Sequence, residues 1–148
     1  MKKVFIGVGI VLLPLAVFAF FLIRFGNVLD VSSQEFVDTH MGNFFSTFSK
    51  DDLLKISTVA LQDNLNSNDN NFIFSKLKKL GQFQKYEGSK GEANIGFNYN
   101  KMKLNVAADY IASAIYQNGT IQAEVRLVRI GTQWQIDTIN FDSPVFEK

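Results

Sequence analysis

The apolar positions of this chain change rhythm along its length. Val4 to Ile23 is a nearly continuous apolar run with no charge, bounded by Lys2 and Lys3 before it and Arg24 after it. About twenty residues at 1.5 Å each span about 30 Å, the hydrocarbon thickness of a bilayer. The run predicts one transmembrane helix over residues 1–24. Pro14 is tolerable there, since neighbouring groups can re-satisfy the backbone it frees. Positive charge is heavier before the run than after it, which leaves the N-terminus in the cytoplasm and carries the rest across the membrane. The alternative is a signal peptide cleaved after Ala19, which would leave the apolar Phe20-Phe21-Leu22-Ile23 as a new terminus. Both readings place the remainder outside the cytoplasm, in the periplasm or beyond the cell, secreted if the segment is removed.

Residues 25–31 read as a short connector and 32–148 as one domain. Ser32 and Glu35 have the spacing of a capping box at a helix start. Phe36, His40, Phe44 and Phe48 then recur at i+4, with Val37, Met41 and Phe45 alongside, which predicts an amphipathic helix of about four turns. Ser49 with Asp52 repeats the capping spacing, and Leu53, Leu54, Ile56 and Ala60 predict a second helix. After an Asn-rich polar loop, Phe72 to Leu80 reads as a short third helix stopped by Gly81. Beyond Gly81 the period becomes two. Strands are predicted over 82–88, 92–100, 101–117, 120–130 and 132–142. The glycine-containing stretch from Gly88 lacks the lysine-hydroxyl ending of a phosphate loop and reads as a hairpin connection. Helices followed by an antiparallel sheet indicate an α+β domain.

Two turns set the expected faces of the sheet. Asn118-Gly119 suits a two-residue type I′ turn, pairing Tyr116 with Ile121, Ala114 with Ala123, Ala112 with Val125 and Tyr110 with Leu127. That face is apolar throughout and is the core. On the other face Asp109 lies diagonal to Arg126, within ion-pair reach. A second turn at Gly131-Thr132 sets Leu127 against Ile136 inside and Arg126 against Asp137 outside. Arg129 then points inward beside Trp134, placed for a cation–π contact. Ile111, Ile115, Arg126, Asp137, Ile139 and Phe141 are thereby expected on the outer face. A solvated face usually carries fewer large apolar residues, so these six are the interface candidates, for a second copy or a protein partner. Coverage by the chain's own residues 143–148 is the competing explanation.

With these elements the chain resembles the NTF2-like superfamily of cystatin-like α+β cones. The resemblance covers Ser32 to Ser143. It rests on three leading helices, the Leu80-Gly81 ending, the long strand through Gly119-Thr120, and the close Gly131-Thr132-Gln133-Trp134-Gln135-Ile136. It implies three N-terminal helices packed on a curved antiparallel sheet, here preceded by one transmembrane helix. A single membrane helix before such a domain is also similar in layout to certain secretion-system components. The superfamily holds enzymes, ligand carriers and assembly modules, so it implies no one activity.

Composition narrows the chemistry. With 47% hydrophobic and 14% aromatic residues among 148, the chain can pack a core. It has no cysteine and one histidine, which excludes disulfides, thiolate catalysis and Cys- or His-rich metal sites. A net charge of +1 gives no case for nucleic acid, and no motif calls for a cofactor. Cone-fold isomerases keep a tyrosine, aspartate or histidine inside. The inward positions here supply Tyr110, Tyr116, Trp134 and Arg129 but no carboxylate, so no catalytic residue is assigned. Those four, with Phe44, are the ligand-pocket candidates. The small Ala108, Ala112 and Ala114 leave room between them unless Phe44 and Phe48 fill it. Arg129 would meet an anionic ligand. Lys76, Lys78 and Lys79 would meet anionic lipid heads or form a solvated helix face. The expected role is a membrane-anchored binding or assembly module acting through the outer sheet face. Ligand binding in the cone comes second, and a ketosteroid-isomerase-like activity third.

Overall fold

One helix, α1 (Lys2–Thr47), runs without a break through both the apolar run and the expected connector at 25–31. The computed structural model describes residues 2–67, 71–98 and 103–147, with the backbone alone at 2–16, 18–25, 71–72, 97–98 and 103. The expected membrane span, Val4–Ile23, therefore lies outside the described side chains except for Val17. Among the described residues no helix is long and apolar enough to cross a membrane. From Leu29 onward one face of α1 is buried at helical spacing, through Leu29, Ser33, Val37, Met41, Phe44 and Phe45. The centre of the buried stripe is thus rotated slightly from Phe36 and His40, which lie on its flank, half-buried. Ser32 caps nothing, because α1 begins at Lys2 and is about eight turns along there. Its hydroxyl donates to the Leu29 carbonyl at 3.1 Å and accepts from Trp134 Nε1 at 3.1 Å. Phe48 ends the helix with a φ of 48°, a left-handed position usually given to glycine. Its ring is held by stacking on Tyr116, 5.3 Å away and nearly parallel.

The second predicted helix is two helices. In α2 (Lys50–Lys55), Ser49 caps as expected, its Oγ accepting from Asp52 N at 3.2 Å. In α3 (Val59–Asn66), Thr58 caps through Leu61 N. Between them the chain turns aside to join the sheet. Ile136 N donates to the Ile56 carbonyl and Thr58 N to the Ile136 carbonyl, both at 2.8 Å. Helix α4 (Asn71–Leu77) runs into a 3-10 turn, Lys78–Leu80, and stops at Gly81 with φ 79°. Among the described residues four α-helices, not three, precede the strands.

The sheet is a four-stranded antiparallel meander of β1 (Phe83–Asn98), β2 (Lys103–Tyr116), β3 (Gly119–Ile130) and β4 (Gln133–Asp142). The chain ends its described part in a 3-10 turn, Pro144–Glu147. The architecture is α+β, with helices packed on one face of the sheet. Strand β1 joins the two short strands expected from sequence, and the stretch from Gly88 is no hairpin connection. It pairs with β2 from Gly88↔Ser113 to Gly91↔Tyr110 after two register shifts. Glycine is required at 91: a Cβ there would sit 2.0 Å from the Asp109 carbonyl oxygen and 2.7 Å from Tyr110 Cα. Residues 99–102, where the predicted strands meet, lie outside the described residues.

Register decides which side chains face α1. The first hairpin turns on Gln117-Asn118, with Tyr116 opposite Gly119, Ala114 opposite Ile121 and Tyr110 opposite Val125. The pairing is two residues removed from the type I′ expectation. The cause is tertiary: Asn118 N donates to the Leu80 carbonyl, Gln117 N to Gln82 O, and Asn118 Nδ2 to Lys79 O. The turn residues are engaged by the end of the helical region. The second hairpin has the expected turn and sets Leu127 against Ile136, but a bulge follows at Asp137, so Arg126 pairs with Thr138 and not with Asp137. One extra residue swaps faces beyond it. Ile139 and Phe141, expected outside, point inward.

Candidate functional site

The interior between α1 and the sheet is packed. Ala108, Ala112, Ala114 and Ala123 are fully buried, and their small size brings α1 close to the strands. Phe44 is buried in the same core cluster. Its ring stacks on Phe141 at 5.5 Å and meets Phe48 and Phe74 edge-on. Two of the ligand-pocket candidates are instead ties between helix and sheet. The Tyr110 hydroxyl lies 2.9 Å from Ser33 Oγ and donates to the Asp30 carbonyl at 3.2 Å. The Tyr116 hydroxyl donates to the Phe45 carbonyl. A third tie, missed from sequence, is Tyr86 to Asp38 at 2.8 Å. Burial pushes all three hydroxyls above the ordinary tyrosine range, and the Asp38 carboxylate adds to this at Tyr86. None is poised to give up a proton near neutral pH. The signal for Asp38 was its i+4 spacing from Gln34, which also reaches β1, donating to Ser89 O at 3.1 Å.

The remaining pocket candidates come together as expected. Arg129 pairs across the hairpin with Trp134, its guanidinium carbon 5.8 Å from the ring centroid. Arg129 Nε is buried and finds no acceptor among the described residues. Trp134 also walls an open cleft of about 520 Å³ between α1, α2 and the β3–β4 turn, lined further by Glu35, Phe36, His40, Lys55 and Thr132. Here His40 packs on Phe36, with ring centroids 4.4 Å apart, and burial pushes its imidazole below the usual range. Sequence reasoning placed His40 on the apolar stripe and missed that Lys55 and Trp134 close around it. The cleft carries one imidazole, which has no hydrogen-bonded partner among the described residues. Lys55 is engaged outside by Asp52 at 2.8 Å. Among the described residues no group of three or more His, Asp or Glu is placed to hold a metal.

The outer sheet face bears an open depression of about 540 Å³, lined by Lys90, Asp109, Ile111, Glu124, Arg126, Thr138 and Asn140. Asp109 lies directly opposite Arg126, with carboxylate and guanidinium 3.9 Å apart and both more than half exposed. Ile111 is 45% exposed, and Ile115 is half-buried on the same face. Of the six interface candidates, Ile111, Ile115 and Arg126 lie on the outer face as expected. Asp137 sits at the bulge, half-buried, and accepts from Thr58 Oγ1 at 3.2 Å. Ile139 and Phe141 belong to the core. The C-terminal turn does not cover the face. Val145 and Phe146 pack against the core cluster, and Ser143 Oγ donates to the Thr120 carbonyl at 2.6 Å.

No family model, curated protein or solved structure matches this chain.

Proposed function

We propose that this protein is a membrane-anchored, noncatalytic binding module outside the cytoplasm, and that its working surface is the outer face of the sheet. The observation that carries this reading is the depression lined by Asp109, Ile111 and Arg126, which no helix covers among the described residues. It offers a protein partner the exposed Ile111 side chain next to paired charges, and interfaces combine such apolar contacts with a polar rim. A second copy of this chain is the first partner to test. Asp109 and Arg126 stand on neighbouring strands, so a two-fold operator along the strands brings the carboxylate of each copy to the guanidinium of the other. Anchoring is supported by the composition of Val4–Ile23 and by its flanking charges. We also propose an NTF2-like relationship, supported by layout alone: helices first, then one antiparallel sheet whose last turn is followed by Trp134 and Ile136.

The packed interior and the hydrogen-bonded tyrosines favour a surface role over a ligand or a reaction inside the fold. The test is native mass spectrometry of full-length protein extracted in mild detergent, beside Arg126→Glu and Ile111→Asp variants. Association that both variants abolish, with melting unchanged, supports the outer face as the interface. A monomer that captures no protein partner, or association indifferent to both variants, overturns it.

A further inference from the structure

Exposed apolar side chains are not spread evenly over this domain. Among the described residues eight large ones are exposed, and five of them are Val28, Val31, Ile95, Leu104 and Ile130. A sixth, Val17, belongs to the apolar run itself. Two hydrogen bonds fix where the five lie. Asp30 Oδ1 accepts from Ala93 N at 2.7 Å, and Ser32 Oγ accepts from Trp134 Nε1 at 3.1 Å. Residues 30–32 of α1 are therefore level with Ala93 on β1 and with Trp134 on β4. Ile95 lies beyond Ala93 along β1, and Leu104 lies beyond Ala108, the partner of Ala93, along β2. Ile130 lies beyond Arg129, the partner of Trp134, along β3. All three stand at the end of the sheet toward which α1 leads back to its N-terminal half. Val28 and Val31 line a shallow groove of about 340 Å³ on α1 at that same level.

We propose that this end of the domain rests on a lipid surface, with Leu104, Ile130 and Ile95 as its contact points. The inference rests on the membrane-anchoring reading above, and the continuity of α1 gives it force. No flexible connector separates the apolar run from the domain, so the domain is held at the membrane by a helix, not on a loose tether. From Ala93 to Asn98, β1 extends five residues, about 16 Å at 3.3 Å each, toward the level of Ile23 on α1. Contacts too weak to recruit a free protein suffice when an anchor makes them intramolecular. Arg129 and Trp134 stand one row behind the apolar rim. Both are residue types that keep a polar end at a lipid interface, and Arg129 Nε finds no acceptor among the described residues. The opposite end, by contrast, holds Lys78, Lys79 and the Gln117-Asn118 turn, whose Asn118 side chain donates to the Lys79 carbonyl and whose main chain donates to Leu80 and Gln82. That basic cluster faces away from the bilayer in this arrangement.

Because the chain has no cysteine, single labels test the proposal directly. Leu104→Cys, Ile130→Cys and, at the far end, Gln117→Cys variants of the full chain are labelled with an environment-sensitive fluorophore. Each is reconstituted in vesicles of phosphatidylcholine with a minor share of phosphatidylglycerol. The expected result is loss of fluorescence with doxyl-labelled lipid and shielding from aqueous iodide at 104 and 130, and the reverse at 117. If the protein floats with the vesicles but 104 and 130 behave like 117, the rim proposal is overturned while anchoring stands. If the protein does not float, the anchoring reading fails first. Shielding from both quenchers would place a protein contact there and also overturn the proposal.

Discussion

The two hairpins that share β3 depart from their expected pairings in different ways, with opposite consequences. Between β2 and β3 the register is displaced by two residues, and every side chain stays on its predicted face. Tyr110, Ala112, Ala114 and Tyr116 remain inside and Asp109 remains outside. Between β3 and β4 the turn and the first pairs are as expected, yet one extra residue at Asp137 exchanges the faces of all that follows. A strand alternates with period two, so an even displacement is silent in burial and an odd one is not. Local turn chemistry was the wrong guide in the first case and the right one in the second. In both, contacts from outside the hairpin decided: Leu80 and Lys79 hold the first turn, and Thr58 and Ile56 hold β4 beside the bulge.

Ile139 and Ile111 share one face in the sequence pattern and lie on opposite faces in the fold, so the same charge at each should have very different effects. Ile139→Asp buries a carboxylate in the core and is expected to cost upwards of about 4 kcal/mol, leaving the domain unfolded by circular dichroism. Ile111→Asp, on the outer face, is expected to fold and melt close to the parent. Equal melting of the two would mean that the bulge is wrongly placed.

A smaller effect sharpens the inner face of the first hairpin. Tyr116→Phe removes the hydroxyl bound to the Phe45 carbonyl, at an expected cost of about 1–2 kcal/mol in urea titration. The same residue predicts a pH dependence. Burial raises the Tyr116 hydroxyl above its unfolded value near 10, so the folded state favours the neutral phenol. That contribution is fully present below pH 10 and is lost as pH rises above it. Alkaline destabilisation of the parent should therefore be weaker in Tyr116→Phe.

Asn118→Ala removes one exposed hydrogen bond to Lys79 O and leaves the main-chain bond to Leu80. About 0.5–1 kcal/mol of stability should go with it, with faster hydrogen exchange at Gln117 and Asn118. The smallest effect belongs to the outer pair. Asp109→Ala is expected to change stability by less than about 0.5 kcal/mol, since both partners are more than half exposed. Together these results order the two faces by energy, and an outer-face variant costing as much as Tyr116→Phe would contradict the order.

Much of this protein is legible in its residues alone, because local physics sets it. The Ser49 cap, the stop at Gly81, the inward alternation of β2 and β3, and the pairing of Arg129 with Trp134 each depend on residues near in sequence or directly opposite across one turn. The burial of Phe44 followed from its place on the stripe. Its neighbour Phe141 did not, because the bulge at Asp137 has no local signal. The break between α2 and α3 at Ile56–Thr58 belongs to the same class. Ile56, Ser57 and Thr58 are only middling helix formers, and it is the hydrogen bonds to Ile136 that hand the chain at the break to the sheet. Ser32 likewise has the spacing of a cap but lies mid-helix, its hydroxyl taken by Trp134 more than a hundred positions along the chain. Propensity and period act over a few residues, and they set the kinds of elements and the core face of β2 and β3. Register beyond the bulge, the joining of helix to sheet, and the gathering of apolar residues at one exposed end follow from folding, because each depends on groups that meet only in the folded chain.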